Sequence, residues 1–210
     1  MPAKFVSNKD ETIPLFENPW LERLSHIHPL TPVVVFTPII GWFLWQGAAD
    51  RSLAVVIGLV AAGLFIWTFT EYSLHRWVFH YQPTSKWGQH IHFLVHGIHH
   101  DYPRDSTRLV MPPPVSLPLA ALFALGFRAA FGGAWEAIFA GFLIGYVIYD
   151  SIHYATHHWR MDGRVGGFLR EYHLRHHFRD DDLGYGVSSP LWDYVFGTVA
   201  TRTRADRKAA

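Results

Sequence analysis

Four long apolar runs, joined in pairs by very short links, constrain what this chain can fold into. Read as helices they cover about residues 33–49, 53–74, 115–131 and 134–154. Each is near the ~17–25 residues that a helix needs to cross a bilayer. Only Asp50, Arg51 and Ser52 separate the first pair, and Gly132-Gly133 lies between the second. Links this short make two helical hairpins. Pro38, Pro118, Arg128 and Glu136 interrupt the runs, and only Pro38 sits near mid-span; membrane helices tolerate proline. The expected fold is all-α and integral to a membrane, with four transmembrane helices in two hairpins.

The cationic residues agree. Of 18 Lys and Arg, all but Arg51 and Arg128 lie before the first run, between the second and third, or after the fourth. Cationic loops stay on the cytoplasmic side, so both termini and the central segment are expected there. Residues 75–114 and 155–200 then form a cytoplasmic cap. Residues 1–32, broken by Pro14, Pro19, Pro29 and Pro32, form an interfacial arm in which Trp20-Leu-Glu-Arg-Leu24 can make a short amphipathic helix. The whole, residues 1–210, is expected to be one domain. A net charge of +1 carries no polyanion signature, so no nucleic-acid partner is expected. With no cysteine, disulfides, thiolate zinc sites and iron–sulfur clusters are excluded.

The chain has 15 histidines, most of them in four clusters. These read His75-Arg-Trp-Val-Phe-His80, His96-Gly-Ile-His99-His100, His153-Tyr-Ala-Thr-His157-His158 and His173-Leu-Arg-His176-His177. Neutral imidazole is the commonest metal ligand near neutral pH. Histidines three or four apart share a helix face, whereas adjacent ones diverge by about 100°. Neighbouring pairs therefore suit two ions rather than one. By the same count His75 and His80, about 140° apart on an α-helix, also fit a split between two ions. The pattern argues for a dinuclear, nitrogen-ligated site. Asp150 precedes His153 by one turn and Glu71 stands similarly to His75. Both are candidates to hydrogen-bond and orient a ligand ring.

Other metal chemistries fit less well. The zinc-protease HExxH is absent, as are the Glu-x-x-His pairs of ferritin-like di-iron bundles. Bis-histidine haem would need one His from each of two facing spans and would not call for adjacent pairs. Metal transport would need ionisable groups inside the spans, and those are almost lacking.

The order HxxxxH, HxxHH, HxxxHH, HxxHH after hydrophobic spans resembles the fatty acid hydroxylase superfamily. The strings Arg108-Leu-Val-Met-Pro-Pro113, Tyr149-Asp-Ser-Ile-His153 and Ser189-Pro-Leu-Trp-Asp193 are similar to its fatty acid 2-hydroxylase branch. The resemblance implies a helical catalytic cap on a four-helix membrane base and ten His ligands. His80, His96, His99, His153 and His157 would hold one metal; His75, His100, His173, His176 and His177 would hold the other. It implies two iron ions, with zinc able to occupy such sites, and O2 as co-substrate. The reaction would be hydroxylation at carbon 2 of a long acyl chain. Sterol or carotenoid hydroxylation, or desaturation, are the alternatives within the superfamily. No His-Pro-Gly-Gly haem motif is present, so a separate cytochrome b5-like or ferredoxin/reductase donor is expected, as in a bacterial inner-membrane member. His26, His28, His90, His92 and His158 are left over, with His92 the foremost extra candidate. Tyr154, Tyr185 and Asp193 are further candidates, and Trp77, Phe79 and Trp87 are expected to anchor the interface.

Overall fold

The computed structural model describes residues 5–201, and these contain no strand. Chain order begins with α1 (Pro19–Ser25), α2 (Thr31–Ala48) and α3 (Leu53–Ser73). A π-helical turn, Leu74–Phe79, continues α3 into the cap. The cap carries α4 (Lys86–His92), a second π turn (Phe93–Gly97) and α5 (Ile98–Asp101). The chain then re-enters the base as α6 (Pro113–Phe131) and α7 (Trp135–His158), and returns to the cap as α8 (Arg164–Phe178) and α9 (Leu191–Phe196).

Three segments are long and apolar enough to cross a membrane: Thr31–Ala48, Leu53–Phe79 and Pro113–His158. The third, 46 residues long, contains both α6 and α7. Gly132, at φ 52°, breaks it in two. A residue with a Cβ rarely adopts that left-handed backbone. The outer faces of these helices are apolar and exposed, including Val34, Trp45, Ile57, Phe65, Leu122 and Leu125. Exposed apolar area of this extent is a surface for lipid. Arg51 sits at the far end from the cap and donates to the carbonyls of Gly47 and Gly133, the latter across to the second hairpin. It satisfies helix-end carbonyls that the chain itself leaves open.

α7 is the central helix, in contact with α2, α3 and α6. The base core packs Phe36, Trp67, Phe127, Phe139, Phe142 and Tyr146 around it. Small residues bring backbones together where lipid offers no hydrophobic drive to do so. A Cβ added to Gly63 on α3 would lie 1.8 Å from the Ile138 carbonyl oxygen, and one added to Gly141 on α7 would lie 2.1 Å from that of Val60. The crossing of α3 and α7 therefore depends on these two glycines.

The arm is bonded to the rest of the fold. Asn18 caps α1, accepting from the backbone N–H of Trp20 at 2.9 Å and of Leu21 at 3.4 Å. The arm is tied to the cap by the Ile27 N–H on the Thr107 carbonyl (2.7 Å) and the Ser7 N–H on that of Asp101 (2.8 Å). The expected fourth span ending at 154 is also exceeded: α7 runs unbroken to His158.

Replacing Gly63 by leucine should force α3 from α7. The expected cost is about 1–3 kcal/mol, read as a lowered thermal midpoint of the detergent-solubilised protein. The same change at Gly58, which has nothing within 4 Å of an added Cβ, should leave the midpoint unchanged.

Candidate metal centre

Ten histidines from four segments converge where the base meets the cap. They form two groups, and within each group one ring nitrogen per residue lies within 4.8 Å of all the others. The first group is His75, His80, His96, His100 and His176. The second is His99, His153, His157, His173 and His177. All but His80 are buried. The ten residues are those singled out from the sequence, but their division differs from the one the resemblance implied. His96 stands with His100 rather than with His99; His99, His153 and His157 stand with His173 and His177.

The helices explain the division. Residues four apart fall together (His96 with His100, His153 with His157, His173 with His177), while those three apart or adjacent fall on opposite sides. His75 and His80 were placed apart on the assumption of α-helical rotation. The π turn changes that, because the His80 N–H reaches the His75 carbonyl at 3.1 Å, an i to i+5 bond. Five residues then make about one turn, and both rings face the same group. The second π turn, Phe93–Gly97, carries His96.

Within the groups the Nε2 atoms face one another. The separations are 3.1 Å for His80–His96, 2.9 Å for His96–His100 and 3.1 Å for His80–His176. In the second group they are 2.8 Å for His99–His153 and 2.9 Å for His157–His173. Burial holds His96, His100, His173 and His177 far below the ordinary imidazole range, and His99 at about 3. These rings are neutral at physiological pH and keep a lone pair. His75 Nδ1 donates to the Tyr185 carbonyl at 2.5 Å and His176 Nδ1 to that of Leu183 at 2.8 Å. A carbonyl can only accept, so the proton of each ring is on Nδ1 and Nε2 is a bare acceptor. His75 Nε2 and both nitrogens of His177 are buried with no hydrogen-bond partner. Lone pairs turned toward lone pairs in a dry interior are stabilised by a cation between them, and this donor set fits two nitrogen-preferring metal ions.

The loop that orients His75 and His176 is itself held by two carboxylates. Glu71 accepts the N–H groups of Val187 (2.7 Å) and Ser188 (2.8 Å), and the Ser188 hydroxyl. Asp193 accepts those of Tyr185 (3.0 Å) and Gly186 (2.9 Å), and the Thr198 hydroxyl. Glu71 thus orients His75 through the loop, not by bonding its ring as expected. Asp150 also bonds no imidazole; its neighbours are Tyr146 and the Met111 backbone. Tyr185 contributes its carbonyl. Phe79, expected at the interface, instead stacks on His96 with ring centres 5.2 Å apart. Trp77 and Trp87 are exposed. His158 stacks on Tyr154, and His26 bonds Thr107, Glu22 and Arg108; neither belongs to a His group, nor do His28, His90 or His92.

A cavity of about 380 Å³ opens beside the histidines. His96, His99, His153 and Asp150 line it, and its walls are mostly apolar, among them Leu94, Ile98, Val110 and Met111. Leu15, Phe16, Leu21 and Leu24 of the arm also line it, which no motif in the sequence announces.

Asp193→Asn should set an NH2 against one of the two N–H groups that its carboxylate oxygens accept, and loosen the loop. Affinity for one ion should fall roughly 10–100-fold, with the second unaffected, as read by competitive chelator titration. His99→Ala should remove one ion from purified protein by elemental analysis, and His90→Ala none.

The chain matches the fatty acid hydroxylase family over residues 60–198. It is 42% identical to a dihydroceramide fatty acyl 2-hydroxylase of Arabidopsis thaliana, across 83% of this chain and 74% of the relative. It is 41% identical to the fatty acid 2-hydroxylase of Rattus norvegicus, across 89% of this chain. It spans 56% of that rat protein. Among solved structures it resembles the visible hydroxylase domain of full-length scs7p, with a TM-score of 0.83 and 37% identity, covering 89% of this chain and 71% of that one. On the residues matched and on this similarity, the chain belongs to the fatty acid hydroxylase family.

Proposed function

We propose that this protein hydroxylates carbon 2 of a long acyl chain, as a free fatty acid or within a membrane lipid. The observation that carries the reading is the apolar cavity whose lining includes members of both histidine groups. Most of a long acyl chain is hydrocarbon, so an enzyme that holds it must enclose it in apolar surface. Relatives named for dihydroceramide fatty acyl and fatty acid 2-hydroxylation support the substrate class.

The ten histidines would hold two iron ions, with zinc able to take the same nitrogen sites. Iron, when bound, supplies O2 activation with electrons from a separate cytochrome b5-like or ferredoxin/reductase protein. The chain's own residues do the rest. Leu94, Ile98, Val110 and Met111 desolvate the hydrocarbon and keep water from the reacting end. Asp150, buried in the lining with Oδ2 free of a hydrogen-bond partner, offers an acceptor to the amide N–H of an N-acylated lipid, next to carbon 1 of its acyl chain. The Tyr185 and Leu183 carbonyls hold the Nδ1 protons of His75 and His176, so that both Nε2 atoms stay available.

The base is read as four spans, α2, α3, α6 and α7, with the cap and both termini cytoplasmic at a bacterial inner membrane. The lysine and arginine distribution supports that orientation.

With a competent donor and isotopically labelled O2, the product should be a 2-hydroxyacyl chain carrying the label. A new double bond, a ring hydroxyl, or a label drawn from water would reject the reading. For topology, cysteines placed at 90 and 165 in turn should resist an impermeant reagent on intact cells; labelling at either would reverse the orientation.

A further inference from the structure

The arm that precedes the base is built into the cavity. Leu15, Phe16, Leu21 and Leu24 line it together with Leu94 and Val110. Trp20, on the same short helix, does not line it and is 73% exposed. Leu21 and Leu24 are each about half exposed, which puts them at the rim, with the more covered Leu15 and Phe16 further in.

One ion pair fixes this wall. The Glu22 carboxylate accepts the backbone N–H groups of Leu15 at 2.9 Å and Phe16 at 3.1 Å through Oε2. Its Oε1 receives the Arg108 guanidinium and lies 3.1 Å from His26 Nε2. Arg108 also donates to Thr12 (2.7 Å), Ser25 (3.1 Å) and the Ile13 carbonyl, and its side chain is 4% exposed. Burial alone would raise the Glu22 pKa, but the Leu15, His26 and Phe16 bonds and the Arg108 charge bring it to about 2. The carboxylate is charged at any working pH. A buried guanidinium with this many partners is a rigid joint rather than a surface ion pair. It lies directly before Leu109-Val-Met111, which also line the cavity, so a single residue ties the arm to the stretch of lining that follows it in the sequence.

We infer that the arm is the chain-selecting wall of the cavity: Phe16 and Leu24 touch the substrate's hydrocarbon, and the Glu22–Arg108 pair sets how far they reach into its path. This rests on the acyl-chain reading above and adds to it the residues that decide which acyl chains enter. The arm lies outside residues 60–198, which match the family. Selection can therefore reside there without altering the histidine site.

The test uses the full chain, metal-loaded, with amides of one head group and acyl chains of increasing length. Leu24→Trp should move the kcat/KM ratio of very long to shorter chains toward the shorter, and Phe16→Ala toward the longer. Each shift should be about tenfold, the size of one or two methylenes of pocket contact. Glu22→Gln should flatten the ratio, and metal content should stay at the wild-type value in all three. Displacement of a bound fluorescent long-chain acyl amide should give the same ranking without turnover. An unchanged ratio and ranking in Leu24→Trp and Phe16→Ala would overturn the inference, as would an equal shift in Trp20→Ala. Hydroxylation at carbon 2 with unchanged ranking removes the wall and leaves the activity. A shifted displacement ranking with no hydroxylation of any chain does the reverse.

Discussion

Ten imidazoles crowded into a dry interior need something to answer their lone pairs, and much of the structure follows from that requirement. A single buried polar atom without a partner costs on the order of 1–3 kcal/mol. Here several ring nitrogens of one cluster are in that position together. Such an arrangement persists when metal ions complete it and the surrounding chain prevents the rings from turning away. The loop between α8 and α9 does the second task. Two buried carboxylates, Glu71 from a span and Asp193 from the cap, grip its backbone, and its carbonyls lock His75 and His176.

The base has a matching role. α3 and α7 carry the site directly, because each runs out of the apolar layer into its histidines without a break: α3 through the π turn to His80, α7 through His153 and His157. Their spacing is set by backbone contact at Gly63 and Gly141. Packing in the base thus reaches the histidine site through these helices, and the π turn Phe93–Gly97 closes over it together with α5 and α8, carrying the remaining histidines.

Much of this was legible in the sequence. Apolar runs bounded by short polar links gave the helices of the base to within a few residues, because lipid leaves few alternatives to a helix. The ten histidines stood out because adjacent pairs have little other use. Their division was less accessible. His75 and His80 were separated by assuming α-helical rotation, and nothing in Arg-Trp-Val-Phe announces a π turn. Glu71 was recognised as significant but assigned a direct bond to a ring; its true partners, Val187 and Ser188, are more than a hundred residues away. Such long-range pairings carry no local signal. The arm was undervalued for the same reason. Pro14, Pro19 and Pro29 mark it as irregular, but that Glu22 meets Arg108 depends on tertiary closure.

The central claim is that two ions are bound, one in each group of five histidines, with His75 and His80 on the same ion. Anomalous diffraction from crystals of the metal-loaded protein, collected at the metal's absorption edge, tests it directly. The account predicts two peaks, one among His75, His80, His96, His100 and His176 and the other among His99, His153, His157, His173 and His177. A single peak, or a peak shared by His96 and His99 with His75 turned to the other ion, would contradict it.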